Sequence, residues 1–199
     1  NELPITHDLY YFKNFFVDIL EIYYHKSTLL QEFKQLAASI EKLQPQSLMI
    51  RDFQARNIMV NKNHEIFFID YQAAMKGPAM YDVISFLYQA KANFPEQWKS
   101  EALDFYLQLW NEKDRKELRN AVKYCQLIRF LQVLGAYGFR GLIQKKPHFV
   151  SSIKQGIKNL TEFAEKWEEM KNYPELQSLI ENLRLDSTQN KIHDIISNH

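Results

Sequence analysis

The chain contains the stretch Ile50-Arg51-Asp52-Phe53-Gln54-Ala55-Arg56-Asn57-Ile58-Met59-Val60, which is followed after five polar residues by Ile66-Phe67-Phe68-Ile69-Asp70-Tyr71-Gln72. Each stretch holds a short apolar run, and the polar residues 61–65 between the runs indicate a turn. We therefore predict two short strands, 58–60 and 66–69, joined into a hairpin by a five-residue loop.

Three side chains with oxygen atoms on short stems flank these apolar runs. Asp52 lies on the loop that enters the hairpin, Asn57 precedes the first strand, and Asp70 ends the second strand. Because a hairpin brings the start of its first strand next to the end of its second, Asn57 and Asp70 should lie close together. The sequence therefore predicts two converging oxygen ligands, with a further carboxylate nearby.

Phosphoryl transfer from a nucleotide is the chemistry that this arrangement suits. Mg²⁺ binds one or two carboxylates together with phosphate oxygens and water, so Asn57 and Asp70 would hold the metal. Asp52 would accept the proton of the hydroxyl that is phosphorylated. The spacing of Arg51-Asp52 to Asn57 is that of the protein-kinase catalytic loop, and Asp70 takes the place of its second metal-binding Asp.

The same motifs carry a resemblance to a known family. They are Arg51-Asp52-Phe53-Gln54-Ala55-Arg56-Asn57-Ile58-Met59, Phe68-Ile69-Asp70-Tyr71-Gln72, Lys76-Gly77-Pro78, Tyr81-Asp82-Val83, Asp8-Leu9-Tyr10-Tyr11-Phe12-Lys13 and Gly135-Ala136-Tyr137-Gly138-Phe139-Arg140-Gly141. Over about residues 8–160 the chain resembles the aminoglycoside phosphotransferase/choline kinase superfamily. Within that superfamily it looks most like bacterial sugar kinases of the N-acetylmuramate/N-acetylglucosamine kinase type.

The resemblance implies ATP and Mg²⁺ as cofactors and assigns a role to several side chains. Asp52 would be the catalytic base, Asn57 and Asp70 would bind the metal and nucleotide, and Asp82 would be a structural acid behind the metal site. Asp82 also suits the first turn of a helix, where a carboxylate interacts with the exposed amides. Further candidates for substrate contact or structural support are Arg51, Gln54, Arg56, Gln72, Asp82 and Arg140. For Arg140, a structural ion pair and a substrate or phosphate contact both remain open.

Such kinases have a glycine-rich nucleotide loop before the catalytic loop. This chain has none in that place, because its first glycine is Gly77. The roughly fifty residues before Asp52 have a helical pattern. We therefore expect a mainly α (α+β) protein-kinase-like C-terminal lobe over residues 1–184, followed by a polar tail over 185–199. An N-terminal lobe of the same protein would be its partner, and this chain alone would have little or no activity.

Apolar residues at intervals of three and four predict the helices. The expected ranges are Thr6 or Asp8 to about 24, 29–43, 81–92, 95–110, 115–134, 145–171 and 173–183. Residues 73–78 are expected to form a loop. Gly135, Gly138 and Gly141 are expected to break the long helix and to allow close backbone packing.

Composition excludes several classes of function. The formal net charge is +1, from 25 basic and 24 acidic side chains, so no nucleic-acid partner is indicated. No apolar run is long enough to span a membrane. The single cysteine, Cys125, excludes an internal disulfide, has the pattern of a buried core residue, and fits a cytoplasmic location.

The identity of the acceptor is the main question that the sequence leaves open. An amino sugar is the first choice, on the resemblance, and a cationic acceptor such as choline or an aminoglycoside is the second. A non-catalytic binding module with a kinase-like lobe is the alternative from a different functional class.

Overall fold

A computed structural model describes residues 2–89 and 92–197 of the chain. These residues form two compact units, one made of residues 39–89 and 92–129 and the other of residues 2–38 together with 130–197. The helices are α1 (Glu2–Phe12), α2 (Lys26–Glu41), α3 (Met80–Leu87), α4 (Glu96–Gln108), α5 (Glu112–Tyr137), α6 (Pro147–Lys166), α7 (Pro174–Asn182) and α8 (Asp186–Ser197). The strands are β1 (Gln46–Met49), β2 (Ile58–Val60), β3 (Ile66–Phe68) and β4 (Met75–Pro78). The expectation of a mainly helical chain with a small hairpin is confirmed.

The hairpin predicted from the apolar runs is present in the first unit. Strands β2 and β3 pair antiparallel, with Ile58 opposite Phe68 and Val60 opposite Ile66. The side chain of Asn61 accepts hydrogen bonds from the backbone amides of Asn63 and Glu65, at 2.9 and 3.0 Å, and so closes the loop. Loop length and turn chemistry are local properties, which is why they could be read from sequence.

The loop predicted over residues 73–78 is wrong, because Met75–Pro78 forms strand β4. This strand pairs antiparallel with β1, and Met49 lies opposite Met75. At Gly77 a Cβ atom would lie 2.8 Å from Cε of Met49, so glycine leaves room for the end of the Met49 side chain to lie over this strand. The strand could not be predicted because its partner, β1, is far away in the sequence. The Gly77-Pro78 pair by itself indicates a turn.

Helix α3 ends earlier than the sequence pattern indicated. Helix α5 is longer than the predicted range 115–134, because it runs from Glu112 to Tyr137. The predicted helix over 81–92 stops at Leu87, and residues 90 and 91 lie outside the described part of the chain. Helix α4 follows Pro95, within one residue of the predicted start.

The core of the first unit contains Met49, Met80, Ile84, Leu107, Leu118 and Cys125. The burial predicted for Cys125 is confirmed, and burial raises the pKa of its thiol.

The second unit is built from helices around a large aromatic and aliphatic core. Its most buried side chains include Leu9, Phe12, Phe16, Leu29, Phe33, Leu36 and Leu134. Helix α1 is described from Glu2 onward, so Thr6 and Asp8 lie inside it and do not cap it. A π-helical turn, Lys13–Val17, follows α1 directly.

The structure of the second unit differs from two other expectations drawn from the sequence. The helix expected over 145–171 divides into α6 and a 3₁₀ turn at Glu168–Asn172. Residues expected to form a polar tail contain α8, in which Thr188 and Ile192 are buried. The division of the chain into a lobe over 1–184 and a tail remains a prediction.

Gly135 was expected to break the long helix, but α5 continues through it to Tyr137. A Cβ atom on Gly135 would lie 2.9 Å from the backbone nitrogen of Phe12, and one on Gly138 would lie 1.9 Å from the carbonyl oxygen of Phe15. Glycine lowers helix propensity by only about 1 kcal/mol relative to alanine, and close packing outweighs that cost here. The close backbone packing predicted for these glycines is therefore confirmed.

Gly138→Ala is expected to destabilise the protein by about 1–3 kcal/mol, because the added methyl group would overlap the carbonyl of Phe15. Gly141→Ala is the matched control, since its Cβ would meet no atom closer than 3.3 Å. Chemical denaturation of both variants measures the difference. Equal stability of the two variants would contradict the prediction.

Within residues 2–89 and 92–197, no helix is both long enough and apolar enough to cross a membrane.

Candidate active site

The predicted catalytic loop connects β1 to the hairpin and lies within the first unit. After Asp52 it enters a 3₁₀ turn, Ala55–Asn57, in which the amide of Asn57 donates to the carbonyl of Gln54 at 2.9 Å. The carbonyl of Asn57 accepts the amide of Ile69 at 3.0 Å, which extends the hairpin by one hydrogen bond. The start of β2 and the end of β3 are thereby held together.

Asn57 links the two acidic residues of the site. Its side-chain amide nitrogen donates to the carbonyl oxygen of Asp52 at 2.9 Å and lies 3.4 Å from Oδ2 of Asp70. Asn57 is only 7% exposed, so this amide is held rigidly. The predicted proximity of Asn57 and Asp70 is confirmed, and Asp52 joins them through its backbone.

The side chains of Asp52 and Asp70 face solvent. The Asp52 side chain is 41% exposed and accepts a hydrogen bond from Nε2 of Gln54. Nη2 of Arg56 lies 3.5 Å from the other oxygen of Asp52. Gln72 donates to Oδ1 of Asp70 at 2.9 Å. Both carboxylates are therefore accessible to a ligand, and polar side chains from their own loops hold them in place.

Two residues of the site adopt the left-handed backbone conformation, which is unfavourable for residues other than glycine. Arg51, directly before Asp52, has φ of 70°, and Asp70 has φ of 64°. Such residues persist only where the surroundings hold them, and they are typical of functional sites. Asp tolerates this conformation better than most residues, whereas Arg51 needs a specific support.

Asp82 provides that support. Its Oδ2 accepts the amide of Ile50 at 2.5 Å, and its Oδ1 accepts the amide of Arg51 at 3.0 Å. Burial raises the pKa of Asp82, while the two amide donors and the guanidinium of Arg129 act in the opposite direction. Asp82 lies in the first turn of α3, as the sequence indicated, and its carboxylate holds the catalytic loop.

Phe53 is a loop anchor that the sequence analysis did not single out. Its ring packs against Phe68 of β3 at 5.4 Å and against Phe86 of α3 at 5.6 Å, measured between ring centres. An aromatic residue inside an otherwise polar loop was the signal that could have identified it. It places the residue after Asp52 between the hairpin and α3.

Arg140 lies in the second unit, within the π-helical turn Gly138–Ile143. It is exposed, with its guanidinium carbon 5.3 Å from the centre of the Phe149 ring. Because Arg140 is exposed, it does not need the anionic partner that a buried arginine would require, and the structural ion pair stays a prediction. Substrate contact by Arg140 remains a prediction, as do the roles of the other candidate residues.

The donor set at Asn57 and Asp70 fits a magnesium ion. Asp70 offers a carboxylate oxygen and Asn57 an amide oxygen, while the amide nitrogen of Asn57 is directed at the Asp52 carbonyl and at Oδ2 of Asp70. Among the residues that the structure describes, no group of three or more His, Cys, Asp or Glu side chains forms a metal site. Mg²⁺ needs no such group, because it takes one or two protein oxygens and completes its shell with phosphate and water.

Comparison with known proteins identifies one family. The family model described as the phosphotransferase enzyme family matches residues 7–119, which is more than half of the chain and includes all the residues from Asp52 to Asp82. A search of the curated proteins found no match.

Proposed function

The chain belongs to the phosphotransferase enzyme family, and we propose that it transfers the γ-phosphoryl group of ATP to a hydroxyl group of a small molecule, with an amino sugar as the acceptor. The observation that supports this most strongly is the link that Asn57 makes between Asp52 and Asp70. It supports the proposal because it connects the loop residue with the accessible carboxylate, Asp52, to the two residues proposed as metal ligands, Asn57 and Asp70.

Asp52 orients the acceptor hydroxyl and takes its proton. The hydroxyl oxygen forms a bond to the γ-phosphorus, and the bond from that phosphorus to the β,γ-bridging oxygen breaks, which leaves ADP. Positioning and electrostatic stabilisation supply most of the rate enhancement in such reactions. The Asp82 hydrogen bonds serve the positioning, because they fix the backbone immediately before Asp52.

Asn57 and Asp70 would hold Mg²⁺ through their side-chain oxygens. The ion, when bound, offsets the negative charge of the phosphate groups. Gln72 keeps the Asp70 carboxylate oriented by donating to its Oδ1. The left-handed backbone of Asp70 places that carboxylate at the very end of the hairpin, next to Asn57.

An acceptor screen on the natural full-length protein tests the proposed function. We expect ADP formation and a new phosphate ester, detected by ³¹P NMR, with N-acetylglucosamine or N-acetylmuramate in the presence of ATP and Mg²⁺. Chelation of the metal should abolish both signals. Turnover of choline or an aminoglycoside alone would overturn the amino-sugar assignment. No turnover with any acceptor, despite ATP binding, would favour the non-catalytic binding module.

A further inference from the structure

The ring of Phe53 joins the loop that carries Asp52 to two other elements of the first unit. Its centre lies 5.4 Å from that of Phe68 in β3 and 5.6 Å from that of Phe86 in α3. The ring planes are tilted by 57° and 45°, and aromatic pairs favour such tilted arrangements at centre distances of about 4.5–7 Å. The loop is therefore packed against both the hairpin and the helix through one side chain.

Phe68 and Phe86 lie close in the sequence to two other residues of the site. Phe68 is the last residue of β3, two positions before Asp70. Phe86 follows Asp82 by four positions, and residues at this spacing lie on the same face of a helix. The ring of the loop thus contacts the strand that leads to a proposed metal ligand and the helix whose carboxylate binds the loop amides.

Helix α3 is a firm support for this contact. The rings of Phe86 and Phe94 pack with their centres 5.5 Å apart, and Ile84 and Leu87 of the same helix are buried in the core. A movement of the Phe53 ring would weaken its contact with one or both of its partner rings. The position of the Phe53 backbone is therefore coupled to the hairpin and to α3.

Asp52 is held less directly than the pair of residues proposed to bind the metal. The hairpin itself holds that pair, because the carbonyl of Asn57 accepts the amide of Ile69 at 3.0 Å and the Asn57 side chain lies 3.4 Å from Asp70. Asp52 is tied to them through its backbone carbonyl, 2.9 Å from the side-chain nitrogen of Asn57. That bond fixes the carbonyl, and the direction of the carboxylate depends on the neighbouring residues of the loop.

We propose that Phe53 is a positioning residue: its contact with Phe68 sets the Asp52 carboxylate relative to the proposed metal ligands on the hairpin. Asp52 and Gln54, which donates a hydrogen bond to that carboxylate, flank Phe53 in the chain, so a shift of Phe53 would move both. The effect of Phe53 on turnover rests on the proposed function. Its effect on the loop does not, because backbone amides can be observed without any reaction.

Amide hydrogen exchange can distinguish the loop from the hairpin. The backbone amide of Asn57 donates to the carbonyl of Gln54 at 2.9 Å and reports on the loop, whereas the amide of Ile69 donates to the carbonyl of Asn57 and reports on the hairpin. In Phe53→Leu we expect the Asn57 amide to exchange about 10-fold faster, because the loop opens locally once the ring contacts are lost. The Ile69 amide should stay within about 3-fold of its original rate.

Phe68→Leu and Phe67→Leu are a matched pair of variants on one strand. Phe68 is 49% exposed and Phe67 is 52% exposed, and neighbouring side chains of a strand point to opposite faces. Phe68→Leu removes the ring that Phe53 contacts, so it should also speed the exchange of the Asn57 amide, whereas Phe67→Leu should leave that rate unchanged. The double variant Phe53→Leu/Phe68→Leu should exchange no faster than Phe53→Leu, because both substitutions remove the same contact.

Enzyme kinetics on the natural full-length protein give a second readout. Phe53→Leu should lower kcat by about 10- to 100-fold and leave KM for ATP within about 3-fold, because Asp52 shifts while Asn57 and Asp70 keep their places. Phe53→Tyr, which keeps the aromatic ring, should retain most of kcat. A purely structural role would lower the thermal stability without this separation of kcat from KM.

Unchanged exchange of the Asn57 amide in a folded Phe53→Leu protein would overturn the proposal, and so would equal acceleration at Asn57 and Ile69, which indicates general loosening. If Phe53→Leu does not fold, Phe68→Leu decides the matter, since an Asn57 rate equal to that in Phe67→Leu would show that the ring contact does not hold the loop. Faster exchange at Asn57 in a protein that phosphorylates no acceptor would retain the hold of Phe53 on the loop and remove the proposed function.

Discussion

Asp52→Asn is expected to lower kcat for phosphoryl transfer by about 10²- to 10⁴-fold, which is the usual contribution of a positioned general base. The amide oxygen of asparagine still accepts the hydrogen bond from Gln54, so the loop should keep its conformation. The variant loses only the ability to take a proton from the acceptor hydroxyl. Steady-state kinetics and ATP-binding calorimetry together measure this separation of catalysis from binding.

The nucleotide affinity of Asp52→Asn should remain within about 3-fold of the original, because the proposed metal ligands, Asn57 and Asp70, are unchanged. Asp104→Asn is a suitable control, since Asp104 lies on α4 in the same unit and its side chain is 56% exposed. An Asp52→Asn protein with unchanged kcat would show that Asp52 is not the base.

Asp70→Asn is expected to raise the Mg²⁺ concentration needed for half-maximal activity by at least about 100-fold, because the proposed metal site loses the carboxylate assigned to it. Asparagine tolerates the left-handed conformation that Asp70 adopts, with φ of 64°, so the fold should be preserved. Titration of activity with Mg²⁺ measures the effect. Binding of Mn²⁺, followed by electron paramagnetic resonance, measures the loss of metal affinity without turnover.

Thermal denaturation provides the control for Asp70→Asn. Asp70 is exposed, and its removal leaves the hydrogen bond between Asn57 and Ile69 intact, so the midpoint should change little. An Asp70→Asn protein with the original dependence on Mg²⁺ would place the metal ligands elsewhere.

The candidate site was predictable to the extent that it depends on neighbours in the sequence. The apolar runs on either side of residues 61–65 predicted the hairpin, and the hairpin placed Asn57 beside Asp70. Asp52 could be associated with them because only four residues separate it from Asn57. The resemblance added the role of Asp82 behind the loop, and the structure shows the two hydrogen bonds through which Asp82 acts.

Contacts between distant segments were not predictable from the same patterns. Residues 75–78 form a strand only because β1 lies beside them, and a Gly-Pro pair without that partner indicates a turn. Helix α5 continues through Gly135, which packs closely against the backbone of Phe12, a residue more than a hundred positions away in the sequence. The sequence left the surroundings of Arg140 open, and the fold places it at the surface over Phe149.

The sequence by itself therefore determined the family, the helical class, the hairpin and the order of Asp52, Asn57 and Asp70 along it, because side-chain periodicity and turn chemistry act over a few residues. The tertiary structure alone decided the left-handed backbone at Arg51, the pairing of β1 with β4, and the two hydrogen bonds from the loop amides to Asp82. Each of these is unfavourable or undefined locally. Each is stabilised by hydrogen bonds, packing or charge from segments that only the folded chain brings together.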